Sequence, residues 1–163
     1  MEIELKQWAT PHDVLEFMDA ILSGESNINA NLANIAALLN QYLPRINWVG
    51  FYLFEESSGD WVLGPFVGKP ACTRIASGHG VVGKALNLGK VLVVDNVLEF
   101  PGHIACDGDT RSEIVVPIVS KSQAVGGLDV DSPEFRRFQG EEQELLEAVV
   151  NKLGQRWSSF HWY

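Results

Sequence analysis

Residues 113–131 read Glu113-Ile-Val-Val-Pro-Ile-Val-Ser-Lys-Ser-Gln-Ala-Val-Gly-Gly-Leu-Asp-Val-Asp131, two β-branched runs around the polar triplet Ser120-Lys-Ser122. Short β-branched runs bounded by turn residues predict a hairpin. Alternation along the second strand sets Val125, Gly127, Asp129 and Asp131 on one face, with Ala124, Gly126, Leu128 and Val130 on the other. Leu128 and Val130 suit a core, so the opposite face carries two carboxylates beside a glycine. Counting back across the turn puts Glu113 level with Asp129 or Asp131. Like charges brought together are costly unless a cation, a shared proton or water relieves them. Three converging acids suit an ammonium group better than a phosphate. The plainer alternative is that Asp131 opens the Asp131-Ser-Pro133 turn and Asp129 is solvated.

Outward from this hairpin the same texture continues. Asn47-Trp-Val-Gly-Phe-Tyr-Leu-Phe54, Trp61-Val-Leu63 and Val91-Leu-Val-Val94 read as further strands, and Glu56-Ser-Ser-Gly-Asp60 as a second hairpin turn. Trp48 and Tyr52 share a face, with Gly50 between them. Aromatic rings beside carboxylates can box a cationic amine or a polarisable sulfur, although an aromatic pair on a strand is also ordinary core. Helical periodicity brackets the sheet: 11–22, stopped at Gly24; 28–43, stopped by Pro44; and 141–157, with acids in its first turn and Lys152 and Arg156 near its end. Gly80 to Leu88 reads as a short helix among the strands. The expectation is one α+β domain spanning 1–163, a central antiparallel sheet flanked by N- and C-terminal helices.

Composition narrows the function. The chain has 163 residues, 46% of them hydrophobic and 20% charged, and carries 12 Lys+Arg against 21 Asp+Glu for a net charge of −9. That excludes disorder and a disulfide scaffold, and it disfavours a nucleic-acid backbone as partner. The charged start Met1-Glu-Ile-Glu-Leu-Lys6 lacks a signal-peptide core, and no apolar run reaches membrane-span length. A cytoplasmic protein with reduced cysteines at rest is expected.

The two cysteines, Cys72 and Cys106, fit neither a C-x-x-C redox motif nor a zinc spacing, so no metal is expected. Cys106 sits in the polar segment Phe100-Pro-Gly-His-Ile-Ala-Cys-Asp-Gly-Asp109. One helical turn would set His103 on its face, where an imidazolium would lower the thiol pKa while Asp107 and Asp109 would raise it.

Asn47-Trp-Val-Gly-Phe-Tyr52, Leu63-Gly-Pro-Phe-Val-Gly-Lys-Pro-Ala-Cys72, Gly102-His-Ile-Ala-Cys-Asp107, Ser112-Glu-Ile-Val-Val-Pro117 and Gly127-Leu-Asp-Val-Asp-Ser-Pro133 together resemble the free methionine-(R)-sulfoxide reductases, single GAF-domain enzymes. The resemblance implies reduction of the free amino acid's (R)-sulfoxide, with Cys106 as nucleophile, Cys72 as its disulfide partner and a thioredoxin-type dithiol as reductant. It implies no cofactor. Asp129 and Asp131 are then the proton-holding pair and Glu113 the substrate anchor. Trp48, Tyr52, His103 and Asp107 complete the substrate site, and His103 equally suits a role in ordering its loop. Backbone N–H groups around 103–107 are expected to meet the substrate carboxylate. One departure stands out: the family's middle cysteine is Val82 here. The alternative it raises is an impaired enzyme, or a GAF module that senses a small ligand without turning it over. Small GAF domains often dimerise through their terminal helices, so a homodimer is a further expectation.

Overall fold

Thr10 starts the first helix with a reciprocal cap: its hydroxyl accepts from the Asp13 amide while the Asp13 carboxylate accepts from the Thr10 amide. The computed structural model describes residues 10–162; the charged N-terminal stretch Met1–Lys6 and the final Tyr163 lie outside them. Helix α1 spans Pro11–Ser23 and α2 spans Ile28–Tyr42, which Asn27 caps and Pro44 follows. Strands β1 (Trp48–Glu55), β2 (Asp60–Gly68) and β3 (Arg74–Ala76) come next, then helix α3 (Gly80–Leu88) and strand β4 (Leu92–Val94). Strands β5 (Ser112–Ser120) and β6 (Gln123–Ser132) form the hairpin on which the sequence turns, and α4 (Glu141–Arg156) closes the order. No helix among the described residues is long and apolar enough to cross a membrane.

The six strands form one antiparallel sheet in the order β3-β2-β1-β6-β5-β4. The alternation sorts its two faces. Val49 and Phe51 of β1, Ile114, Val116 and Ile118 of β5, and Leu128 and Val130 of β6 are buried against α1, α2 and α4. The opposite face carries Trp48, Tyr52, Trp61 and Val115, and is covered in part by Val81, Val82, Ala85 and Leu86 of α3. Two cores therefore share the sheet, and the second holds the polar groups.

Local chemistry explains the departures from the expected elements. The hairpin turn places Lys121 and Ser122 at φ 49° and 66°, a left-handed pair that matches strand twist. Strand β2 runs past Gly64-Pro65 because a bulge between Gly50 and Tyr52 absorbs them, so Pro65 breaks no regular ladder. β3 has only three residues and no periodicity to reveal it. Gly127 does not leave open space: a Cβ there would meet the Leu86 side chain of α3. Near the C-terminus, Trp157 and Phe160 pack against the helix-side core. Trp157 meets Phe160 and Trp162 edge-on, and His161 pairs with Asn27 at the start of α2.

Close approach of α4 to the sheet depends on one residue. Gly154 lies where a Cβ would overlap the Val119 carbonyl oxygen, a rigid backbone atom. Gly154→Ala is expected to lower unfolding free energy by about 1–3 kcal/mol, by lifting α4 from β5. Thermal denaturation of the variant checks this, and an unchanged Tm would contradict the packing described.

Candidate active site

Register decides which acids meet. Glu113 of β5 pairs with Asp131 of β6, while Asp129 pairs with Val115 on one side and Gly50 on the other. Side chains of positions 113, 129 and 131 share the face turned toward α3, and one carboxylate oxygen from each lies within 4.8 Å of the others. Glu113 and Asp129 are only 5% and 6% exposed, and Asp129 Oδ1 has no hydrogen-bond partner. Asp131 is half-buried at the margin. Burial first, and mutual repulsion second, push all three carboxyls well above their ordinary range. The cluster therefore retains protons at a pH where isolated carboxyls have lost them.

A narrow cleft of about 40 Å³ opens over this cluster. Trp48 and Tyr52 form one wall, Val81 and Val82 of α3 another, and His103 and Cys106 a third. Larger grooves exist elsewhere, such as one of about 720 Å³ beside β4, but they hold neither cysteine nor the acid cluster. The structure thus brings every sequence-predicted site residue except Cys72 to the lining of one cleft, and Cys72 reaches it through a bond. Cys72 and Cys106, expected reduced at rest, are joined here by a disulfide with a Cα–Cα separation of 5.8 Å. The structure describes the oxidised form.

Each side chain is held by identifiable partners. Trp48 and Tyr52 stack with ring centroids 6.0 Å apart, and their polar tips reach the loop that carries Cys72. Trp48 Nε1 donates to the Lys69 carbonyl at 3.1 Å and the Tyr52 hydroxyl donates to the Cys72 carbonyl at 2.9 Å. Burial and the nearby acids, Asp129 foremost, push the Tyr52 phenol up, so it stays neutral. The Asp107 carboxylate accepts from the Asp109 amide, Asn47 Nδ2 and Lys69 Nζ, which hold it below the usual carboxylate range.

His103 differs from expectation. No helix spans 103–106; Gly102, at φ 74°, turns the chain after Pro101, and the following residues form an irregular loop. The imidazole Nε2 lies 3.7 Å from Glu113 Oε2, and burial pushes its pKa down, so it is neutral at physiological pH. It is therefore not a standing cation beside Cys106. The His103 and Cys106 amides donate to the Phe100 and Ile104 carbonyls, so neither is free for the substrate carboxylate that this stretch was expected to meet.

Sequence reasoning missed Lys69, Asn47 and Thr110. Asn47 Nδ2 bridges Asp107 and the Thr110 hydroxyl, each at 3.0 Å. All three lie in or beside the quoted motifs, yet no spacing rule links positions 47, 69 and 107; only the sheet does.

Linkage makes the cluster measurable. Glu113, Asp129 and Asp131 have native pKa values above their unfolded ones, so the native state binds more protons. Stability then falls as pH rises from the ordinary carboxyl range through the raised native values. Asp129→Asn is expected to flatten this fall, raising Tm at about pH 8 more than at about pH 5. Equal Tm changes at both would contradict the protonated cluster.

Known proteins carry the same frame. Residues 27–157 match the GAF domain family. The chain is 46% identical over 141 residues to a free methionine-R-sulfoxide reductase of Escherichia coli K12, covering 86% of this chain and 84% of that one. A protein of the same name from Saccharomyces cerevisiae is 37% identical over 143 residues, covering 84% and 79%. The X-ray structure of the Neisseria meningitidis free methionine-R-sulfoxide reductase with its substrate superposes with a TM-score of 0.88 at 38% identity, covering 96% of this chain and 93% of that one. The chain belongs to the GAF domain family and, within it, to the free methionine-R-sulfoxide reductases.

Proposed function

We propose that this protein reduces free methionine (R)-sulfoxide to methionine, with Cys106 as nucleophile and Cys72 as the cysteine that resolves it. The observation that carries the reading is the joining of Cys72 to Cys106 at the rim of a cleft floored by three proton-holding carboxyls.

A sulfoxide sulfur accepts a nucleophile readily only when its oxygen is protonated, because oxide is a poor leaving group. The Cys106 thiolate attacks sulfur while a carboxyl of the Asp129–Asp131 pair gives the oxygen a proton. The Sγ–sulfur bond made in that attack and the substrate's S–O bond both break as the protonated oxygen passes to Sγ, so methionine leaves with two electrons gained and Cys106 becomes a sulfenic acid. The Cys72 thiol condenses with it, forming the disulfide and releasing water. A thioredoxin-type dithiol restores both thiols by exchange and is itself oxidised.

The same cleft suits a free amino acid. An ammonium group entering beside Glu113 relieves the like-charge repulsion that raises the three pKa values. The substrate carboxylate is served by the first turn of α3, where Gly80, Val81 and Val82 face the cleft and the N-cap residue His79 makes no side-chain capping bond. Trp48 and Tyr52 offer ring faces to the methyl-sulfoxide end, and Asp107 fixes the loop beneath Cys106. A peptide-bound methionine lacks the free ammonium group that the buried carboxyls favour.

Val82 favours one competing reading, a sensor that binds the sulfoxide without reducing it, since an apolar side chain stands where the resembled enzymes carry a cysteine. Two cysteines nevertheless suffice for one complete cycle. Methionine release from the free (R)-sulfoxide separates the two. With dithiothreitol, Cys106→Ser is expected to lose activity by about 10³-fold or more, while Cys72→Ser retains most of it. With thioredoxin as sole reductant, Cys72→Ser is expected to be inactive. Full activity in Cys106→Ser would overturn the nucleophile assignment. Tight binding with no turnover in the parent, and turnover restored by Val82→Cys, would favour the sensor.

A further inference from the structure

The loop 69–73 between β2 and β3 carries Cys72, and the loop 100–110 carries Cys106. The sheet holds the first of these from one side: Trp48 Nε1 donates to the Lys69 carbonyl, the Tyr52 hydroxyl to the Cys72 carbonyl, and the Leu63 amide to the Thr73 carbonyl at 3.0 Å. None of these bonds reaches the Cys106 loop. Between the two loops, the hydrogen bonds and ion pairs among the described residues all come from Lys69. Its Nζ lies 2.6 Å from Asp109 Oδ2 and 3.4 Å from Asp107 Oδ1.

The shorter contact, to Asp109, joins two exposed side chains, and what sets the tie apart is how its ends are anchored. Asp107 is the residue after Cys106, its side chain is only 8% exposed, and Asn47 and the Asp109 amide fix it in place. Lys69 lies three residues before Cys72 on a loop pinned at its backbone. The lysine side chain therefore spans the same gap as the disulfide, beside it. When the disulfide opens, the lysine bridge is the tie that remains.

We infer that Lys69 is a positioning residue for disulfide closure: it keeps the Cys72 loop against the Cys106 loop while both sulfurs are unlinked. Resting on the reductase reading above, the inference concerns its second half. Closure is an intramolecular reaction between Cys106 sulfenic acid and the Cys72 thiol, yielding the disulfide and water, and its rate depends on how often the two sulfurs approach. The first half, attack of Cys106 on the sulfoxide, takes place within the cleft and needs no contact between the loops. Lys69 also lines the cleft and bonds Asp107, so its loss touches both halves, but closure loses the tie itself and is slowed more.

A single-turnover experiment divides the two steps. Fully reduced protein is mixed with one equivalent of free methionine (R)-sulfoxide and no reductant, and methionine and free thiols are followed by rapid quench. The parent is expected to release one methionine per chain and lose two thiols. In Lys69→Met, loss of the second thiol is expected to slow about threefold to tenfold more than methionine release does, with a sulfenic acid trappable by dimedone in the interval. Lys69→Arg is expected to restore most of the closure rate, since the cation and its reach remain. Second-thiol loss at the parental rate in Lys69→Met would overturn the inference, as would equal slowing of both steps. Absence of methionine release from the parent would count against the reductase reading itself. In that event the tie is still read without substrate, by equilibrating the disulfide with dithiothreitol. Lys69→Met is expected to shift that balance toward thiols by about threefold to tenfold, and no shift contradicts the tie.

Discussion

Three carboxyl groups on one sheet face, shut under a short helix, impose the condition the rest of the site answers. Pairing of Glu113 with Asp131, and the two-residue step from Asp131 to Asp129, leave oxygens of all three within 4.8 Å. Such a cluster persists in a buried place only if it holds protons or meets a cation. Both outlets are useful in one reaction. In the proposed reaction, proton retention supplies the acid a sulfoxide oxygen needs, and demand for a cation selects a substrate with a free ammonium group. The cost to stability is accepted at the site where chemistry occurs, while the opposite face of the same sheet buries an uninterrupted apolar layer.

That division was legible in the chain because strand alternation holds from Gly126 to Asp131. Nearer the turn it fails: the register shifts between Ile118 and Val119, so Val125 packs with the helix-side core and Ala124 with the other, the reverse of the expected faces. The cluster was therefore readable as a near-level pairing of Glu113 with Asp129 or Asp131, and the structure selects Asp131. The three long helices were equally open, each carrying an apolar stripe, with Gly24 and Pro44 as stops for the first two. What sequence could not supply was the course of irregular chain. His103 looked like a helical neighbour of Cys106, but Pro101 and Gly102 turn the loop and send the imidazole to Glu113 instead. Short β3 had no period to declare, and Lys69 drew no attention because its partners lie far along the chain.

The aromatic pair illustrates a subtler limit. Trp48 and Tyr52 read correctly as residues of a shared face, yet their polar tips turned out to be committed to the loop that carries Cys72. A ring wall for the ligand and a fixture for the redox loop are thus the same two side chains. This couples the aromatic wall of the cleft to the position of Cys72: whatever disturbs that wall also loosens the loop. Val82, on the facing helix, gives the cleft an apolar surface there.

Proton counting on binding tests the central claim most directly. Free methionine (R)-sulfoxide is titrated calorimetrically into reduced Cys106→Ser protein near neutral pH, in buffers of different ionisation enthalpy. If the ammonium group docks among carboxyls that hold protons, part of a proton must be released, and the apparent binding enthalpy will change with the buffer. Binding with the same enthalpy in every buffer would mean that the acids do not hold protons that substrate displaces, and would contradict the account.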